Sequence, residues 1–281
     1  MTLNNKHIDL SSPRVMTIVN VTPDSFYDGS RTFTEEEIER HVVQAVEQGA
    51  DMFDVGGYSS RPNADEVSVE EELARVDRAM RVIRRVCPEM AVSIDTFRAE
   101  VVQRTVAEWG DCIVNDISAG ELDPQMIKTV AELGLPYVAM HMRGTPVTMQ
   151  SMTDYDDIVE EVRGYFVQKL DELHQAGIEN VMIDPGFGFA KTLEQNCQLM
   201  SNLHRLSDLG APILVGISRK SMIYKLLGCT PAEALNGTTA LHLEALRQGA
   251  KIIRVHDTRE AVEVVKIYNQ LNKNSLNNDR V

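Results

Sequence analysis

Only four of the 281 residues are cysteine, Cys87, Cys112, Cys197 and Cys229, and they lie far apart with no C-x-x-C pair. That spacing speaks against a disulfide framework or a zinc site and suits reduced thiols, expected here as buried small hydrophobes. Positive charge is scarce as well. Lys and Arg sum to 28 against 42 for Asp and Glu, and the balance of -14 disfavours broad contact with a phosphate backbone or an anionic membrane. No stretch approaches the roughly 18 apolar residues that a spanning helix needs. The opening MTLNNKHIDLSSP lacks the charged start and apolar run of a secretory signal. The expectation is a soluble, cytoplasmic protein with neither nucleic acid nor membrane as partner. No Pro/Gly/Ser-rich linker divides the chain, and at 43% hydrophobic residues it has enough apolar material for one large core.

What is present is a recurring punctuation. A helical stretch ends in glycine and a β-branched apolar run follows within a few residues, at Gly49, Gly110, Gly134, Gly177, Gly210 and Gly249. Glycine suits a helix end in the left-handed conformation because it has no Cβ to clash there. A seventh junction, Val86-Cys87-Pro88-Glu89, does the same work with proline. Seven helix-to-strand junctions predict eight strands, at residues 16–20, 52–56, 91–95, 112–116, 137–141, 181–184, 213–216 and 252–256. Each is a short and nearly continuous apolar run, as parallel strands covered on both faces require.

Between the strands, Leu73, Val76, Met80, Ile83 and Cys87 share one helical face, as do Ala261, Val264, Val265, Tyr268 and Leu271. Capping-box spacing at Thr34 to Glu37 and at Ser68 to Glu71 marks two helix starts. The fold class predicted is α/β, a single (β/α)8 TIM barrel over residues 1–281. Residues 1–13 form a short N-terminal extension that covers the bottom, and residues 272–281 a polar, fraying tail. An open doubly wound sheet is disfavoured because no G-x-G-x-x-G follows the first strand.

In such a barrel the site is built at the carboxyl ends of the strands. Standing there are Asn20, Asp54, Asp95, Asn115, Asp116, His141, Asp184, Ser218-Arg219-Lys220, Arg254 and His256. Asp54 and Asp116 are read as helix caps or acceptors for backbone N–H groups. So many polar groups converging on one mouth nevertheless call for a ligand that shares the cost of burying them. Asp95, Asn115 and Asp184 offer acceptors and an amide to a flat heterocycle with adjacent N–H donors. Lys220, Arg254 and His256 stand where barrels hold phosphate. The ligand expected has a donor-rich ring at one end and a phosphate at the other. Two loops, 21–30 and 56–62, read as mobile lids, and Asp184 to Phe189 brings two aromatics beside the ring pocket.

At these residues the sequence resembles the dihydropteroate synthases of folate biosynthesis, a pterin-binding TIM-barrel family. The resemblance runs in order through NVTPDSF at 20–26, GGxSxRP at 56–62, SIDT at 93–96, VNDI at 114–117, MHM at 140–142, DPGFGF at 184–189, SRKS at 218–221 and RVHD at 254–257. It implies a transferase that joins a 6-hydroxymethyl-7,8-dihydropterin diphosphate to 4-aminobenzoate, releasing diphosphate with the help of Mg2+. It further implies that Asp95, Asn115, Asp184 and Lys220 form the pterin pocket, lined by Met140 and Gly216. Arg254 would flank the ring and act with His256 on the diphosphate, and Asn20 would bind Mg2+. Ser60, Arg61, Pro62, Phe189 and Ser218 would meet the aminobenzoate or complete the enclosure. Asp95, Lys220, Arg254 and His256 are thereby the candidate catalytic residues, and a homodimer and sulfonamide competition are implied as well.

Three positions depart from the family pattern. Tyr58-Ser59-Ser60 stands where relatives often have Glu-Ser-Thr, Ala190 where glycine is frequent, and Tyr27 and Ser30 at variable positions. Two alternatives stay in view. A methyltetrahydrofolate methyltransferase barrel would not need Asn20, Arg61, Arg254 and His256 together, and a non-catalytic pterin-binding barrel would have lost polar strand ends.

Overall fold

Hydrophobic runs with period-two phase settle the architecture. In the computed structural model, which describes residues 2–3, 6–21, 34–58 and 67–278, eight parallel strands close into a barrel. They are β1 (Arg14–Asn20), β2 (Met52–Gly56), β3 (Ala91–Asp95), β4 (Ile113–Asp116), β5 (Tyr137–Met140), β6 (Val181–Asp184), β7 (Ile213–Val215) and β8 (Ala250–Val255). Each strand pairs with its neighbour in sequence, and β8 closes on β1 through Ile252 to Arg14 and Val255 to Thr17. The strand boundaries predicted from composition agree within two residues.

Helices α1 (Glu35–Gln48), α2 (Val69–Val86), α3 (Ala99–Trp109), α4 (Met126–Leu133), α5 (Ile158–Gln175), α6 (Leu193–Ser201), α7 (Ser221–Leu227), α8 (Leu235–Arg247) and α9 (Thr258–Asn278) wrap the barrel. Thr34 and Glu37 form the expected capping box at α1. At α2 only half of it forms. Ser68 accepts from the Glu71 N–H, while the Glu71 carboxylate turns to Arg75 at 2.5 Å. Leu73, Val76, Met80, Ile83 and Cys87 pack inward as expected, whereas Leu271 on the α9 face is 55% exposed. Polar composition placed the tail from residue 272, yet α9 continues to Asn278. Of the four free cysteines only Cys112 is fully buried; the others are half-buried.

Alternation along the strands sorts side chains into layers. Met16, Met52, Ile113, Val138, Met182, Leu214 and Ile252 form a dry cluster at the bottom of the barrel interior, with Ile8 and Leu10 of the N-terminal extension packed on it. That segment therefore plugs the bottom, preceded by a hairpin of Thr2–Leu3 and Lys6–His7. Two residues further along each strand, in the same inward phase, come Ile18, Asp54, Ser93, Asn115, Met140, Asp184, Gly216 and Arg254. Two further still come Asn20, Gly56, Asp95, Ser218 and His256. The bottom layer is apolar and the upper layers are polar. Among the described residues no helix is long and apolar enough to cross a membrane.

Candidate active site

Barrel closure turns these inward positions into neighbours. Arg254 on β8 reaches across to donate its Nε–H to Asp54 Oδ2 at 2.5 Å and an Nη2–H to Asp95 Oδ2 at 2.7 Å. Asn115 on β4 donates its amide to both Asp54 oxygens at 3.3 Å. Asp54 is thus the centre of the floor network. Its reading as a helix cap is corrected, because its side chain points into the barrel in the phase of Met52 rather than toward α2. Asp116 does behave as read: it accepts from the Ser118 N–H and hydroxyl, the Gly120 N–H and the Tyr137 hydroxyl.

Asp184 accepts the Gly186 N–H at 2.8 Å. A Cβ on Gly216 would lie 3.8 Å from both Asp184 Oδ2 and Arg254 Cβ, so glycine keeps that side of the pocket open. Met140 lies in an apolar wall with Ile117, Met142, Met149 and Ala190, against which Phe97, Leu122 and Phe189 pack. Lys220 donates to the Phe187 carbonyl at 2.5 Å, and its Nζ sits 4.5 Å from the Phe189 ring centroid. The charge division expected between strands is therefore not a division of space. Lys220 lies against the β6 loop and Arg254 among carboxylates, while His256 lies toward α1 and α9.

His256 bonds Ser218 Oγ through its backbone N–H and Nδ1, at 3.2 and 3.1 Å. It shares a cavity of about 530 Å3 with Asn20, His41 and Arg259, between α1 and the start of α9. Arg219, in the left-handed region at φ 54, turns its guanidinium away to Asp257 with two bonds of 2.9 Å. Ser60, Arg61 and Pro62 lie outside the described residues, as do Ser59, Tyr27, Ser30 and most of both predicted lids. Tyr58, the residue before the second gap, packs edge-on against Phe97 at 5.1 Å with the Arg98 guanidinium over its ring. Ala190 adopts φ +49, the region where glycine is at ease.

Burial shapes the electrostatics. Asp95 is pushed up to about 7 by burial, with Arg254 opposing and Asp54, Glu72 and Asp116 adding to the rise. Asp184 is raised by burial against the pull of Lys220. Lys220 is lowered to about 8, by burial first, with Asp184 opposing. Burial would pull Arg254 down, but Asp54 and Asp95 hold it above its ordinary value.

Behind Asp95 lies a network that strand-end reading missed. Glu72, buried in α2, accepts from Thr96 Oγ1 at 2.6 Å and from Arg98 at 2.8 Å. Also missed was Lys191, 5% exposed, whose Nζ meets His141 Nδ1 at 3.0 Å. Burial lowers Lys191 to about 7 and holds His141 well below its usual value. The inward phase shared with Met52 would have marked Asp54, whereas nothing in the spacing marks a lysine as buried.

For a metal, the described residues hold no group of three or more His, Cys, Asp or Glu side chains. Asn20 offers one hard oxygen: a Cβ on Gly56 would come within 3.1 Å of Asn20 Oδ1 and 3.7 Å of Asp95 Oδ2, so glycine leaves a cradle between them. A single oxygen fits Mg2+, which keeps waters and takes its remaining ligands from phosphate.

This barrel, with buried acceptors over an apolar plug, is that of a pterin-binding class: the profile of the pterin-binding enzymes matches residues 16–256, from Met16 in β1 to His256. The chain is 45% identical to the dihydropteroate synthase of Escherichia coli strain K12, over 92% of each. It superposes on the Yersinia pestis dihydropteroate synthase solved with a sulfonamide drug at a TM-score of 0.90, with 38% identity, covering 97% of this chain and 98% of that one. The Xanthomonas albilineans dihydropteroate synthase with 4-aminobenzoic acid gives 0.85 and 41%, covering 94% of each. The chain belongs to the dihydropteroate synthase family of pterin-binding enzymes.

Proposed function

We propose that this protein condenses (7,8-dihydropterin-6-yl)methyl diphosphate with 4-aminobenzoate, forming 7,8-dihydropteroate and diphosphate. The observation that carries the reading is the convergence of Asp54, Asp95, Asn115 and Asp184 inside the barrel around Arg254. Such a set of buried acceptors matches the edge of a ring rich in N–H donors.

The bond from the pterin methylene to the diphosphate oxygen breaks, the amine nitrogen of 4-aminobenzoate bonds to that methylene, and the amine gives its proton to solvent. Positive charge left on the methylene spreads into the electron-rich dihydropterin, so the displacement is largely dissociative. Ionised Asp95 stabilises that charge. Asp54 keeps Arg254 in place through Nε when the substrate takes Asp95, and the guanidinium then lies beside the ring. Lys220, held by the Phe187 carbonyl, adds a cation next to Asp184. His256, oriented by Ser218, faces the departing diphosphate. An aromatic amine is unprotonated near neutral pH, so no strong general base is needed. With Mg2+ bound, the negative charge gained by the leaving group is shared with the ion; Asn20 is the side chain that would hold it. Ser60, Arg61, Pro62 and Phe189 serve the aminobenzoate side, where a sulfonamide would compete. The protein works in the cytoplasm as a homodimer.

A coupled assay for diphosphate, with each substrate omitted in turn, tests this. Release is expected only when both are present with Mg2+. Release that ignores aminobenzoate, or no release at all beside methyl transfer from methyltetrahydrofolate, overturns the reading.

A further inference from the structure

The loop from Asp184 to Lys191 is strung between two lysines. Lys220 takes the Phe187 carbonyl at the mouth. Lys191, beneath, takes the carbonyls of Gly186 and Phe189 at 3.0 Å each and His141 Nδ1 at 3.0 Å, with the His141 carbonyl more distant at 3.5 Å. In its ammonium form Lys191 has three protons and no acceptor, so His141 then presents a bare Nδ1, and three contacts of 3.0 Å use the full donor set. The backbone is wound to match. Gly186, Gly188 and Ala190 have φ of 68, 83 and 49, and this alternation turns the carbonyls of residues 186 and 189 inward while that of residue 187 faces Lys220.

Three backbone N–H groups of the loop are bound as well. Gly186 N–H goes to Asp184, Phe189 N–H to the Gly186 carbonyl, and Gly188 N–H to Asn196 Oδ1 at 2.7 Å. The His141 N–H bonds the Asp184 carbonyl at 2.9 Å, joining the ends of β5 and β6. A Cβ on Gly186 would lie 2.0 Å from the His141 carbonyl oxygen, so the loop backbone rests directly on that strand end.

A buried ammonium is costly, and an apolar side chain of the same volume is often no worse for stability. None of the hydrogen bonds of Lys191 goes to a side chain assigned to the substrate; they go to backbone carbonyls and to His141. Every one of them fixes the loop that carries Asp184, Phe187 and Phe189. On the reading of the site given above, we infer that Lys191 is a positioning residue: through its clamp on the Gly186 and Phe189 carbonyls and on His141, it sets the geometry of Asp184 and Lys220 at the pterin and of Phe189 on the aminobenzoate side.

Lys191→Met removes the donors at similar length. Two measurements on the folded variant, well below its melting temperature, decide the matter: amide hydrogen exchange across residues 186–189, and affinity for 6-hydroxymethylpterin, which lacks the diphosphate, followed by its own fluorescence. Faster exchange and about tenfold to hundredfold weaker pterin binding are expected, because small displacements of positioning groups carry penalties of this order. Affinity within about twofold of the parent, or unchanged exchange, overturns the inference. Should Lys191→Met fail to fold, His141→Leu, which leaves one ammonium proton without an acceptor, is measured in the same way, and the same results support or overturn the clamp. A parent protein that binds no pterin counts against the substrate assignment and against the role of the clamp in binding, while the exchange data alone then decide whether Lys191 anchors the loop.

Discussion

Arg254 is shared between two carboxylates, its Nε 2.5 Å from Asp54 Oδ2 and its Nη2 2.7 Å from Asp95 Oδ2. Ligand entry can displace only one of these bonds without freeing the guanidinium, and Asp95, about one-fifth exposed against a fully buried Asp54, is the one it can reach.

Asp95→Asn keeps an acceptor oxygen and the side-chain shape but loses the charge that offsets the cationic pterin. Turnover at saturating substrates is expected to fall about 10² to 10³-fold, the scale seen when one preorganised electrostatic group is removed. Steady-state kcat measures it, and unchanged turnover removes Asp95 from this role.

The asymmetry between what was and was not legible follows from the same pair. The eight strands, their polar ends and the inward phase are local properties, set by alternation, glycine helix ends and short apolar runs, and residues 91–95 or 181–184 read correctly from sequence for that reason. Asp54 meets Arg254 across 200 positions only because β8 closes on β1, which no local pattern states. Lys191 was illegible for another reason: lysine is ordinarily a surface residue, and its burial here depends on two carbonyls that the loop turns inward only once it is wound and on His141 Nδ1 from the end of β5.

The dependence of kcat/KM for the dihydropterin diphosphate on pH should be bell-shaped and narrow. Below about 7 the free enzyme protonates Asp95, raised by burial, and loses its anionic acceptor. On the alkaline side Lys220, lowered by burial to about 8, gives up its charge. The falling acid limb should therefore be missing in Asp95→Asn while the alkaline limb persists. A pH profile of Asp95→Asn that retains the acid limb assigns that limb to another group.

Tyr137→Phe separates structure from catalysis at Asp116. The phenol donates to Asp116 Oδ2 at 2.7 Å, deep in the wall between β4 and β5, and both residues are fully buried. Deleting the hydroxyl leaves that oxygen with the Gly120 N–H as its remaining partner. The expected cost is about 1 to 3 kcal/mol of stability. Denaturant unfolding should register that loss while kcat and both KM values stay near those of the parent. A large fall in kcat without loss of stability would instead move Asp116 into the reaction.

The proposed homodimer has its own physical handle. Leu226 and Leu227 on α7 are 63% and 54% exposed and Ile267 on α9 is 54% exposed, all on helices late in the barrel. Exposed large apolar side chains on these two helices carry a solvation cost that a second copy of the chain would remove, and the gain is about 25 cal/mol for each Å2 covered. Placing aspartate at both Leu227 and Ile267 would bury two charges in that contact, which is far costlier than the apolar area lost. Light scattering should find the parent as a dimer and the Leu227→Asp/Ile267→Asp variant as a monomer at the same concentration. Because Asp95, Asp184 and Arg254 all come from one barrel, the monomer should still bind pterin. A parent that is monomeric at micromolar concentration refutes the dimer, and a variant that remains dimeric moves the interface to another face.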